Sequence, residues 1–334
     1  MLTSLLERAE DNCMQHRCEA AVDLLEEAVR LQPSNPDLHF RLGVCHSGGC
    51  KFNSLTNPDL AVEYLRRALA LTAPSDDSLI CAGIIDALGN AYVYCRKLPK
   101  QARIEAALDC HRAAATLYLS WNQLDDWARE EYNQGNACCE LPEDKYPEKW
   151  KHAIFHYEQA LKVRTREKDP LRYAATMQNL GTAYRQLKSG DKASNARKAT
   201  DCYRCAMEVY RLSTFPVQRA ALHNNVGNAY LALAMADEKD RVRHARRALG
   251  HLDRSLRVRN RADYPVDFAV TQYNRGQAFL MLANEDPQDS YVKAVACFQE
   301  AHDCFLLCGQ ARSAKAARQQ VQRVRLLASS HNHS

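Results

Sequence analysis

The sequence predicts an all-α protein: a solenoid of about seven antiparallel helix pairs closed by a C-terminal capping helix. Two ladders of small residues and a helix-forming composition lead to this reading. Glycines Gly43, Gly89, Gly135, Gly181, Gly227 and Gly276 recur at intervals of 46, 46, 46, 46 and 49 residues. A second ladder places small residues seven apart around a larger one: Ala21, Leu25, Ala28; Ala61, Leu65, Ala68; Ala107, His111, Ala114; Ala153, Tyr157, Ala160; Ala199, Tyr203, Ala206; Ala248, Leu252, Ser255; and Ala294, Phe298, Ala301. The ladders keep step, even at the single three-residue insertion near Lys239. With 12 Gly and 11 Pro in 334 residues, the chain is too poor in turn formers for a β protein of this length. Good helix formers dominate instead.

Spacings of three, four and seven put the small residues on one helical face. Two helices approach closely where one offers Gly or Ala to the bulk of the other. Each glycine-bearing helix (A) therefore pairs with the following Ala-rich helix (B). Pro170, Pro216 and Pro265 each lie eleven residues before their glycine, where proline suits the first turn of an A helix because its missing N–H costs nothing. The repeats run roughly over 2–33, 36–73, 76–120, 124–168, 170–213, 216–261 and 265–308, within a single domain spanning 1–328. Residues 310–328 carry Ala314, Ala317, Val321, Val324 and Ala328 on one stripe, as expected of a helix covering the last pair. The tail 329–334 is expected to be disordered.

These residues resemble the tetratricopeptide repeat, whose pattern is a large residue, Leu, Gly, Tyr, then Ala, Phe, Ala and Pro. The fifth repeat shows it as Met177, Leu180, Gly181, Tyr184, then Ala199, Tyr203, Ala206, and the first ends in Pro33-Ser34-Asn35-Pro36. The likeness covers roughly residues 2 to 308 and departs from the usual ~34-residue period by lengthening both connections. HEAT repeats have similar lengths but lack the Gly/Ala code. The resemblance implies a right-handed superhelix, A helices lining its concave side, and a protein ligand. Phrases such as Met177-Gln178-Asn179-Leu180-Gly181 and Ala160-Leu161-Lys162-Val163-Arg164 are most similar to the long repeats of bacterial proteins joined to caspase-like (CHAT) protease domains. That implies a sensor or adaptor arm; the resemblance supports the arm and says nothing for the enzyme.

On such a concave side the positions two before and one after each glycine share a face. The first set is Asn133, Asn179, Asn225 and Asn274; the second is Asn90, Asn136, Thr182, Asn228 and Gln277. Asparagine gains nothing from sitting repeatedly inside a helix, yet its amide can pair with both N–H and C=O of a peptide group. These nine residues and Arg185 form the expected peptide-binding set. The same amides could instead bond neighbouring helices. Specificity would fall to Asp86, Tyr132, Gln178, Asn224, Tyr273, Tyr94, Glu140, Arg185 and Gln186, which are mixed in charge and do not form a Lys/Asn/Arg carboxylate clamp.

Other function classes find less support. Cys202-x2-Cys205 and the pair His152, His156 have metal-ligand spacing but lack further ligands, so no cofactor or metal is expected. No phosphate loop, nucleophile elbow or catalytic His/Cys pairing stands out, so no enzyme is expected. A basic stretch, Lys239 to Arg261 with Arg312 to Arg325, offers the alternative of an acidic or nucleic-acid partner, but aromatics for base stacking are missing there. No segment reaches the ~20 apolar residues of a membrane span. The N-terminus lacks a secretory signal, and scattered cysteines suit a reducing compartment. The expectation is a cytoplasmic scaffold or adaptor whose partner is an extended segment of another protein.

Overall fold

A computed structural model of the protein describes residues 2–15, 17–47, 57–72 and 79–331. Among these residues there are fifteen helices and no strand, the all-α helix-pair architecture the ladders predict. The packing divides the chain into two compact units, Met1–Arg164 and Thr165–Ser334. Unit 1 contains α1 (Leu2–Met14), α2 (Cys18–Leu31), α3 (Pro36–His46), α4 (Pro58–Leu71), α5 (Leu79–Tyr94), α6 (Lys100–Ser120), α7 (Leu124–Glu140) and α8 (Lys149–Leu161). Unit 2 contains α9 (Pro170–Gln186), α10 (Lys192–Val209), α11 (Pro216–Ala236), α12 (Arg241–Leu256), α13 (Pro265–Leu282), α14 (Pro287–Leu307) and α15 (Ala311–His331). Within each unit, odd-numbered A helices pack on the B helix that follows, and each B helix packs on the next A helix.

Local chemistry starts the helices where the sequence places them. Pro170, Pro216 and Pro265 occupy the first turns of α9, α11 and α13. Pro36, Pro58 and Pro287 do the same for α3, α4 and α14. Before several of them an Asn or Asp side chain accepts from an otherwise orphaned N–H: Asn57 from Leu60, Asp169 from Arg172, Asp286 from Asp289. Such caps stabilise a helix by about 1 kcal/mol each.

The two ladders meet in space. A Cβ placed on Gly89 would stand 2.8 Å from His111 Cε1, on Gly135 2.6 Å from Tyr157 Cε1, and on Gly181 2.7 Å from Tyr203 Cε1. On Gly227 it would stand 2.7 Å from Leu252 Cγ, and on Gly276 2.8 Å from Phe298 Cε1; Gly43 meets Leu65 in the same way. Carbon atoms pack at roughly 3.5–4.0 Å, so each of these six glycines stands where a methyl group would collide with the central residue of its B helix. The flanking alanines close the same interface: Ala153, Ala160, Ala199 and Ala206 have no exposed surface. The first pair lacks a glycine, and Ala9 packs with Leu25 instead.

The insertion near Lys239 is absorbed as helix. α11 ends at Ala236, nine residues past Gly227, whereas α9 ends five residues past Gly181. At the C-terminus α15 continues beyond 328 to His331, with the hydroxyls of Ser329 and Ser330 donating to the carbonyls of Arg325 and Leu326 one turn back. The expected start of the third repeat at 76 and the last tail residues, 332–334, lie outside the described residues.

Gly135→Ala should lower the urea midpoint of unfolding by the equivalent of about 1–3 kcal/mol, the range for overpacking a tight interface. Combined with Tyr157→Leu, the loss should be smaller than the sum of the two single losses. Strict additivity would show that the ring and the glycine do not meet.

Candidate functional site

Unit 1 brings three of the expected amides onto one cavity. Asn90 of α5 and Asn133 and Asn136 of α7 line a hollow of about 190 Å³ together with Val93, Tyr94 and Glu140. Asn90 is exposed and donates to Asp86 Oδ1, one turn back, at 2.8 Å. Asn136 accepts from the hydroxyl of Tyr157 at 2.8 Å. The same ring that presses on Gly135 thus reaches past it to orient the amide one residue on. Tyr94 stands out at the rim, 65% exposed, and Glu140 is paired with Lys100 at 2.6 Å. Tyr132 lies under the Arg164 guanidinium, 4.6 Å from ring centroid to Cζ.

In unit 2 the geometry separates residues that spacing treats alike. Thr182 repeats the position of Asn136: its hydroxyl lies 3.2 Å from that of Tyr203 and donates to the Gln178 carbonyl at 3.1 Å. Arg185, one turn further on, sits beside the same tyrosine. Asn179, Asn225 and Asn228 are half-buried on their A helices. Gln277 opens onto a cavity of about 390 Å³ with Arg241, Asn284, Gln320 and Arg323. Asn274 behaves otherwise. It is 9% exposed, and its amide donates to Asn224 Oδ1 at 2.9 Å between α13 and α11. A buried amide needs such a partner, and this one ties two A helices together rather than facing a ligand.

Behind the unit 1 hollow lies a charged cluster that the sequence reading missed. His111 takes the place that Tyr, Phe or Leu fills in other repeats, and its Nδ1 donates to Glu130 Oε2 at 2.7 Å; both side chains are buried. Arg129 bonds Asp86 Oδ2 at 2.9 Å and Glu130 Oε1 at 3.3 Å, and its guanidinium stands 5.5 Å from the Tyr118 ring. Buried charges persist only when partnered in this way. Burial, and then the neighbouring Glu130 charge, push the Asp86 carboxyl up to about 6. His156 and Glu131 form a similar pair at 2.8 Å between α8 and α7. The available signal was His111 itself, a polar residue in a slot that is otherwise apolar or aromatic, with the adjacent acids Glu130 and Glu131 on the preceding face of α7. Nothing in linear spacing says that α6 and α7 bring them together.

The basic stretch is partly consumed by ion pairs. Arg241 pairs with Glu238, Arg243 with Asp240, Arg246 with Glu285 and Arg259 with Asp267. Among the described residues no helix is long and apolar enough to cross a membrane.

Paired helices meeting at a glycine, with polar residues on the A helices, define a helical-repeat protein. The C-terminal part of a TPR repeat-containing protein from Cytophaga hutchinsonii has a similar structure, with a TM-score of 0.56 and 14% identity over 90% of this chain and 95% of that one. A tetratricopeptide repeat protein from Parabacteroides merdae gives 0.54 and 14% over 97% and 98% of the two chains. A Rap protein complexed with Competence and Sporulation Factor gives 0.50 and 12% over 98% and 99%. No protein-family model matches the sequence, and no curated protein matches it. The fold is thus a helical repeat of the tetratricopeptide type.

The Asp86 carboxyl, held near 6 rather than at its ordinary 3.8, binds its proton more tightly in the folded state. Its stabilising contribution is therefore complete below pH 3.8 and is lost as pH rises through about 6. Asp86→Asn should flatten the decline in the urea midpoint over that window. An unchanged slope would assign the decline to another group.

Proposed function

We propose that the chain is a protein-binding adaptor module whose A helices hold an extended segment of a partner protein. The observation that carries this reading is the convergence of Asn90, Asn133 and Asn136 on one hollow of unit 1. An extended peptide offers one N–H and one C=O per residue, and a side-chain amide matches both. Such a clamp reads the backbone, so it tolerates varied sequence, while Tyr94 and Glu140 at the same hollow supply selectivity. In unit 2 the half-buried Asn179, Asn225 and Asn228, with Thr182, Arg185 and Gln277, offer the same chemistry; Asn274 does not join them. The fold supports this reading, as does the similar Rap structure, which holds Competence and Sporulation Factor. The likeness to the arms of CHAT-protease proteins adds an adaptor serving a separate effector.

An acidic partner or nucleic acid on the basic C-terminal surface is the weaker reading, because Arg241, Arg243, Arg246 and Arg259 already face acids. A catalytic role has less support again. The His111–Glu130 pair is almost fully buried: Glu130 has no exposed surface, and His111 reaches the hollow's lining with 1% of its own.

Peptides selected from a phage-displayed random library against the full chain supply the probe. For a selected peptide, Asn90→Ala combined with Asn133→Ala should weaken binding by about tenfold or more in fluorescence anisotropy, the scale of a few lost hydrogen bonds. The thermal midpoint should be retained. Unchanged affinity in that double variant would remove the amides from the binding site.

A further inference from the structure

The three residues added to the repeat between Gly227 and Gly276 give unit 2 a feature its other hairpins lack. α11 runs on to Ala236; Asp237 follows as its C-terminal cap, and Asp240 stands just before α12. His244 lies one turn into α12, four residues after Asp240. A carboxylate oxygen from each aspartate and a ring nitrogen of His244 all lie within 4.8 Å of one another. His244 is 6% exposed, and its Nδ1 is buried without a hydrogen-bond partner. A buried ring nitrogen left unpaired is costly, and a histidine with such a nitrogen beside two carboxylates points to a ligand.

We propose that Asp237, Asp240 and His244 form a binding site for a divalent transition-metal ion of the zinc class. One imidazole and two carboxylates are three ligands of the types zinc accepts, and water completes a tetrahedron. Zinc holds such atoms at about 2.0–2.2 Å, so ligand atoms this close converge on a common ion through small side-chain rotations. The surrounding bonds already orient the set. Asp237 Oδ1 accepts from the Asp240 N–H at 3.2 Å, and Asp240 Oδ2 accepts from Arg243 at 2.6 Å. Each carboxylate thereby has one oxygen hydrogen-bonded within the turn, as outer-shell partners commonly hold metal ligands. Tyr230 stacks against the imidazole at 6.1 Å between centroids and an interplanar angle of 24°.

The Asp86, His111 and Glu130 cluster of unit 1 has a comparable composition and makes the contrast clear. There His111 is bonded to Glu130, and Arg129 occupies both carboxylates. That cluster is closed by a guanidinium. At the α11–α12 turn Arg241 pairs with Glu238, and Arg243 engages one oxygen of Asp240, while the His244 ring Nδ1 has no partner. A bound ion would staple the C-terminal end of α11 to the first turn of α12 and stabilise the hairpin.

The test uses the full chain, stripped with a chelator under reducing conditions and titrated with zinc against a chromogenic competitor. With 14 cysteines and 12 histidines in the chain, the measurement that decides is the difference between variants. Asp237→Asn combined with Asp240→Asn changes no side-chain shape at this half-exposed turn, and should lose one zinc equivalent per chain or bind that equivalent at least about tenfold more weakly. Zinc should raise the thermal midpoint of the parent chain and not that of the variant. Cobalt at the same site should show a ligand-field spectrum without thiolate charge transfer. Equal zinc stoichiometry and affinity in parent and variant, or a thiolate spectrum for the tightest cobalt, would overturn the assignment and give the binding to cysteines. His244→Gln, which keeps the buried volume, should reproduce the aspartate result.

Discussion

The structure depends on glycine meeting a large side chain at the centre of six of its seven hairpins. The residue opposite varies through Leu65, His111, Tyr157, Tyr203, Leu252 and Phe298, while the glycine does not. That asymmetry follows from packing. A B-helix side chain can change shape and still fill its slot, but any Cβ on the facing A helix enters its van der Waals envelope. Helix propensity alone would disfavour Gly in mid-helix by about 1 kcal/mol relative to Ala. The close approach it permits, with fully buried alanines on either side, outweighs that cost.

The same contact shapes the candidate site. Because each tyrosine passes over its glycine, the hydroxyls of Tyr157 and Tyr203 arrive at Asn136 and Thr182, the residues immediately after. Core packing and the presentation of polar side chains are thus one arrangement rather than two. Where the slot holds His111 instead, the ring demands a partner, and Glu130, Arg129 and Asp86 follow in turn. The chain of bonds surfaces at Asn90, so the protonation of the half-buried Asp86 carboxyl is linked to a side chain on the proposed binding hollow.

Much of the fold was legible because it rests on periodic features. The ladders mark helix–helix contact, and Pro170, Pro216 and Pro265 mark helix starts by the chemistry of a missing N–H. The candidate site was legible less evenly. Asn133 and Asn274 hold the same place relative to their glycines, yet one lines a cavity and the other bonds Asn224 in the interior. Burial of an A-helix side chain depends on what the adjacent A helix carries at that height, and that is a long-range relation. The insertion near Lys239 was visible as a broken count, but its incorporation into α11, bringing Asp237 within reach of His244, was not.

By itself the sequence determined that paired helices form, where most of them begin, and which residues press together within each pair. Those outcomes follow from short-range sterics and from a repeating pattern of side-chain size. The tertiary structure alone decided which amides stay at the surface and how His111 is satisfied. It also decided which carboxylates lie beside a buried imidazole. Each of these depends on side chains from different helices meeting at a distance of a few ångströms, and no spacing along one chain encodes that distance.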